Sequence, residues 1–121
     1  MHFDWNDYIK LAEELALTQN QAKLRSAVSR AYYGVFSQCR TFCKKSMDKS
    51  PDVHRKIIEK LKMGETREEI SLGNSLSNLR DKRNEADYNS FAAFTPQDTI
   101  SNINEAKRAI SILNFLRGEN N

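Results

Sequence analysis

"LRSAVSRAYYGVFSQCRTF", Leu24 to Phe42, decides the fold. Leu24, Ala27, Val28, Ala31, Val35, Cys39 and Phe42 recur at steps of mostly three and four, the period of one helix face. Tyr32, Tyr33 and Phe36 widen that face, so the helix meets neighbours on more than one side. From the start of this stretch to about Met47, only Gly34 weakens the helix. One such glycine costs about 1 kcal/mol. A long helix with so broad an apolar face requires other helices packed against it.

Outward from this segment the chain is punctuated by helix signals. Upstream, "TQNQ" offers Thr18 as N-cap with Gln21 at capping-box spacing. Before it, Asp4 can cap a first helix carrying Trp5, Tyr8, Ile9, Ala12, Leu15 and Ala16. Downstream, "KKSMDKSPD" is the first break, and Ser50-Pro51 opens a third helix with Val53, Ile57, Ile58 and Leu61 that ends at Gly64. Thr66 can cap the next helix with Glu69 reaching back, and Ile70, Leu72, Leu76 and Leu79 supply its apolar side. "TPQD" starts the last helix, with Ile100, Ile103, Ala106, Ile110, Leu113 and Leu116 facing inward. No strand pattern, repeat or low-complexity linker interrupts. The expected fold is all-α, a single domain over residues 1–121: an antiparallel bundle of four main helices plus a short extra helix.

Composition agrees and narrows the function classes. The 121 residues suffice for one core, and only 4 glycines and 2 prolines favour helices over a turn-rich β fold. A net charge of +3 with interspersed signs is weak evidence for nucleic acid on its own. Cys39 and Cys43 lie four apart on one helix without a neighbouring histidine, so they read as small apolar residues; no metal and no cofactor is expected. The opening "MHFDWNDYIK" is too polar for a signal peptide, and no apolar run approaches the roughly 20 residues that span a bilayer. A cytoplasmic protein without membrane contact is the expectation.

One run resists the bland reading: "LRDKRNEADY", Leu79 to Tyr88. Leu72, Leu76 and Leu79 step by four and three, and that rhythm continues to Arg83 and Ala86. Arg83 thus stands where another apolar residue belongs. A guanidinium there lies in a groove or at an interface, because burying it unpaired is costly. Asp87 is placed to pair with it at i+4, while Arg80, Asn84 and either Asp87 or Tyr88 line an adjacent strip. Two readings stay open: an internal ion pair that fixes the helix end with Tyr88 in the core, or an anion site. In the second, arginine supplies fork-shaped donors and Asn84 a directional hydrogen bond.

"LRSAVSRAYYGVFSQCR" (Leu24 to Arg40) resembles the second helix of HEPN domains, where small residues precede "RAYY" and an aromatic follows. "LRDKRNEADY" is similar to the "RNxADY" segment that the family carries on a later helix, and "DVHRKIIEKL" (Asp52 to Leu61) to its histidine-containing helix. The segments keep the family order, and the resemblance spans Trp5 to Leu116. It implies a small helical bundle that forms a homodimer, joining the arginine motifs of two subunits in one cleft. Many members are metal-independent ribonucleases acting as toxins of toxin–antitoxin pairs, in antiphage defence or in RNA processing. Others bind nucleotides or RNA without catalysis, or partner an enzyme such as a nucleotidyltransferase that modifies a tyrosine near the motif, a position Tyr88 can fill.

The family's active motif is an arginine, often followed by a polar residue, then a histidine after four to six residues. Arg83 and Asn84 match its first part, but Tyr88, Asn89 and Ser90 stand where the histidine belongs. Metal-free RNA cleavage needs the 2′-hydroxyl deprotonated and the leaving oxygen protonated; an imidazole titrating near about 6.5 does either, whereas a phenol near about 10 is a poor base at neutral pH. The resemblance therefore implies binding of RNA or a nucleotide through Arg80, Arg83, Asp87 and Arg30, and catalysis by Arg83, Asn84 and Tyr88 only if the missing imidazole is replaced. His54 can replace it if the start of its helix approaches Arg83; otherwise it is an exposed or capping residue beside Asp52. Arg30, amid small residues, is expected to hold Asp87 against the second helix. Lys44, Lys45 and Lys49 read as solvated charges that add salt-sensitive attraction for RNA.

Overall fold

The computed structural model describes residues 2–118. Among them are five α-helices and no strand: α1 (Asn6–Leu15), α2 (Gln21–Phe42), α3 (Val53–Lys62), α4 (Arg67–Tyr88) and α5 (Pro96–Leu116). Three are long, at 21 or 22 residues, and α1 and α3 have ten each.

The expected Thr66 cap forms, and the helix expected to start at "TPQD" is capped by Thr95. Thr66 Oγ1 accepts the Glu69 N–H at 3.1 Å, and Thr95 Oγ1 accepts the Asp98 N–H at 3.0 Å ahead of a helix whose first residue is Pro96. The reach back from Glu69 is to the Thr66 hydroxyl, which donates to its carboxylate at 2.9 Å, and not to the backbone. Asp4 is not the N-cap of α1: Trp5 takes that position without a side-chain cap, and Asp4 Oδ1 accepts the Asn6 N–H at 3.0 Å from one residue earlier.

Other expectations are corrected. The N-cap of α2 is Asn20, which accepts from Lys23 N at 3.1 Å; Thr18 acts one step earlier, accepting from Asn20 N. Helix α2 stops at Phe42 and not near Met47, because Lys44 enters the left-handed region (φ 59°). The Lys44 and Lys45 N–H groups then turn back to the carbonyls of Thr41 and Arg40, satisfying the helix end. Ile70 and Ile100, assigned to inner faces, are 40% and 46% exposed.

Helix α2 packs against α1, α4 and α5, and α3 lies mainly on α4. The main core joins Tyr32, Val35 and Cys39 of α2 to Ile57, Leu76 and Leu113, all at 0% exposure. Cys39 and Cys43 are free and buried, and burial pushes both thiols up, so neither is a nucleophile or ready ligand. Two glycines mark close helix approaches. A Cβ on Gly73 would meet Lys62 N at 2.8 Å and Leu61 Cβ at 3.0 Å; one on Gly34 would meet Ile9 Cδ1 at 2.7 Å.

A second, smaller cluster of Leu24, Val28, Ala86 and Phe94 seats the start of α2 against the end of α4. Arg25 Nη1 donates to the carbonyls of Ala86 (3.0 Å) and Asn89 (2.9 Å), and Nη2 donates to that of Ala92. Gln21 makes a reciprocal pair with the Phe94 backbone at 2.6 and 2.9 Å. These bonds satisfy carbonyls that the end of α4 leaves open, and they fix the motif helix where it matters. No helix among the described residues is long and apolar enough to cross a membrane.

Candidate functional site

The stripe position that local spacing gave to Arg83 faces α2. Its side chain is only 14% exposed and spends every guanidinium nitrogen on a neighbour. Nε donates to Asp87 Oδ2 at 2.9 Å, Nη1 to Asn84 Oδ1 at 3.1 Å, and Nη2 to the hydroxyls of Tyr33 (2.5 Å) and Tyr88 (3.3 Å). The guanidinium carbon lies 5.0 Å from the Tyr33 ring centroid and 5.3 Å from that of Tyr88. Asp87 Oδ2 also accepts from Ser29 Oγ at 3.2 Å, which ties the ion pair to α2. The Arg83–Asp87 pair is therefore present, with Asp87 29% exposed at the rim.

Tyr88 is not in the core: it is 73% exposed, with Phe91 at 96% just beyond it. Arg30 does not hold Asp87. Its guanidinium lies over the Tyr8 ring of α1 at 4.9 Å, and Ser29 makes the bond expected of it. One helical step separates the two positions, so Ser29 faces α4 where Arg30 faces α1.

The start of α3 does reach this cluster. His54 is half-buried, stacked face to face on Phe36 with ring centroids 4.0 Å apart, and its Nδ1 is 2.6 Å from Tyr32 Oη. The Tyr33 ring, whose hydroxyl holds Arg83, stands edge-on to His54 at 6.0 Å. Burial pushes the imidazole down to about 4, assisted by the charges of Arg80, Arg83 and Arg40. Burial likewise pushes the Tyr32 phenol up, with Arg80 opposing it, so Tyr32 stays protonated. Tyr32 Oη has no other hydrogen bond among the described residues, so its proton serves His54 Nδ1. The neutral ring then carries its own proton on Nε2.

Arg80, three residues before Arg83 on the same helix side, completes the set. Its Nε is buried without a hydrogen-bond partner, and it forms no ion pair among the described residues. Arg40 is held differently, donating from Nε to the Lys45 carbonyl at 3.0 Å and from Nη2 to that of Asp48. The site thus sets a neutral imidazole in the field of three arginines, one of which, Arg83, is paired with Asp87. It can hold an anion and offer it directional donors. No group of three or more histidine, cysteine or carboxylate side chains among the described residues is placed to hold a metal ion.

A groove of about 630 Å³ between α4 and α5 lies elsewhere and is lined by Asp81, Glu85, Asp98 and Glu105 against Lys82. Its acidic wall has the wrong sign for a phosphate. Spacing alone did not reveal Arg25 and Gln21, whose partners lie 61 to 73 residues away. Tyr33, which spacing assigns to the apolar face of α2, carries the hydroxyl that holds Arg83. No family model matches the chain, and no curated protein or solved structure matches it.

Proposed function

We propose that the protein is a HEPN-type module, an antiparallel helical bundle that binds RNA or a nucleotide through a phosphate held at Arg83 and Arg80. The observation carrying this reading is the company of Arg80: a guanidinium without a hydrogen-bond or ion-pair partner among the described residues, one turn before Arg83, which is itself paired with Asp87. An arginine fork left open in partly buried surroundings gains most from an oxyanion. The homodimer, the cytoplasmic setting and a role in a toxin–antitoxin pair or antiphage defence belong to the same reading by resemblance.

A second reading, metal-independent RNA cleavage, is favoured by the position of His54. It brings an imidazole from α3 to the arginine cluster, although none follows Arg83 in the sequence. Held down to about 4, that imidazole is a weak base at neutral pH, so binding stands ahead of catalysis. The alternative of a non-catalytic partner of a nucleotidyltransferase draws on Tyr88, whose ring is exposed enough to be modified.

The test is to incubate purified protein with total RNA in EDTA, comparing wild type with Arg83→Ala and Arg80→Ala. RNA binding lost in the variants supports the module. Cleavage by wild type that disappears in Arg83→Ala establishes the nuclease. Equal RNA binding by all three proteins retires the site.

A further inference from the structure

We infer that the cluster of Arg80, Arg83 and His54 takes a terminal phosphate monoester in preference to an internal phosphodiester. The inference rests on the phosphate reading above and narrows it to one ligand class.

Charge carries the first part. Arg40 and Arg83 from neighbouring helices, with Arg80, place three guanidiniums about His54; among the described residues Asp87 is the one carboxylate bonded to them, since Asp48 and Asp52 nearby are paired with Lys56 and Arg55. Three positive charges against one negative leave a local charge of about +2. A monoester carries about −1.5 to −2 at pH 7, whereas an internal diester carries one negative charge. The dianion neutralises the cluster; the diester leaves part of its charge uncompensated.

Donor geometry carries the second part. Arg83 is saturated by Asp87, Asn84, Tyr33 and Tyr88, but its Tyr88 bond is long, at 3.3 Å, and lies on an exposed ring that can give way. Among the described residues Arg80 has its donors uncommitted. His54 offers Nε2–H because Tyr32 occupies Nδ1. Three kinds of donor from α3 and α4 suit a phosphate with three free oxygens, and a diester has only two non-bridging ones.

The groups facing His54 are Tyr32, Tyr33 and Arg40 from α2, and Arg80 and Arg83 from α4. On its own helix, Asp52 is engaged by Arg55 and Lys56. Among the described residues no free carboxylate competes for the imidazole, so a bound dianion is felt directly by the His54 ring. His2 is the only other histidine, which makes the ring proton signals easy to assign.

The experiment uses the full chain and compares three probes by calorimetry and by the His54 ring signals in proton NMR. The probes are a nucleoside 5′-monophosphate, an oligoribonucleotide with a 5′-phosphate, and the same oligoribonucleotide with a 5′-hydroxyl. The expected result is at least tenfold tighter binding of both monoesters at pH 7. Their binding moves the His54 signals, and the preference shrinks below about pH 6 as the monoester gains a proton. In Arg80→Gln the preference falls to within twofold. If the nucleotide binds weakly while the 5′-phosphorylated strand keeps its advantage, the source is an RNA end; the reverse identifies a free nucleotide. Equal affinity for the 5′-hydroxyl strand, or unmoved His54 signals on binding, overturns the inference and leaves the phosphate reading standing. Failure of all three probes to bind overturns both.

Discussion

His54 Nδ1 lies 2.6 Å from Tyr32 Oη, and this contact ties the start of α3 to the middle of α2 beside the arginine cluster. Tyr32 is fully buried, so the phenol is a fixed post for a ring that would otherwise be free to turn. Tyr32→Phe keeps the packing and removes the post. The expected cost is about 1 kcal/mol, the net worth of a partly buried hydrogen bond. Urea unfolding should record it, and an unchanged midpoint would show that the bond contributes nothing.

Stability should also depend on pH through His54. Its folded value near 4 lies below the ordinary value near about 6.5, so the unfolded chain binds more protons between them. The stabilisation is therefore complete above about 6.5 and is lost as pH falls toward about 4. Partial solvation limits the loss to roughly 1 kcal/mol. His54→Gln should flatten the difference between midpoints at pH 7 and pH 5. A variant as pH-sensitive as wild type in that window would assign the effect to other groups.

Replacing Arg83 with lysine should not be conservative. A lysine ammonium has three donors and no fork, and cannot span Asp87, Asn84 and Tyr33 together. RNA affinity should fall about tenfold, an order-of-magnitude effect of losing one charge-assisted bond. Salt titration distinguishes the cause: lost phosphate contact lowers the salt slope, whereas simple misfolding abolishes binding at every salt concentration.

Arg25→Ala should loosen the end of α4 without touching the arginine cluster directly. It removes donors from the carbonyls of Ala86, Asn89 and Ala92, at an expected cost of about 1–3 kcal/mol. Hydrogen exchange should accelerate first in the segment 86–94. Uniform acceleration across α2 and α4 would mean that the capping bonds are part of global unfolding.

Gly73→Ala offers a test in which helix propensity and packing point opposite ways. Alanine favours the helix by about 1 kcal/mol. The added Cβ, however, would crowd the Lys62 backbone nitrogen at 2.8 Å, and backbone yields little. Overpacking of this kind costs about 1–3 kcal/mol, so a net loss is expected on thermal unfolding. A raised melting temperature would show that α3 moves aside freely.

Much of the fold was legible because helix signals are local. Thr66, Thr95 and Pro96 act within one turn, and spacing along α4 singled out Arg83. Competition between nearby signals was less legible. Asn20 displaced Thr18 as cap, and the left-handed turn at Lys44 ended α2 ahead of the apparent break. Ile70 and Ile100 fell outside the core because a helix rotates its flanking residues to whichever face its neighbours leave uncovered. At the site, the Arg83–Asp87 pair followed from i,i+4 spacing. His54 over Phe36, Ser29 on Asp87 and Arg25 at the end of α4 are contacts across 18 to 64 residues that no periodicity encodes.

The tight crossing at Gly73 also makes α3 a lever. Gly73 grips the helix at Leu61 and Lys62, while His54 rides the opposite end. From Leu61 and Lys62 back to His54 is seven to eight residues, an arm of about 11–12 Å at 1.5 Å each, so a tilt of about 10° at the grip displaces the imidazole by roughly 2 Å. A position with no polar atom beyond its backbone, nearly three turns from Arg83 along α4, thereby bears on the distance between the ring and the guanidiniums.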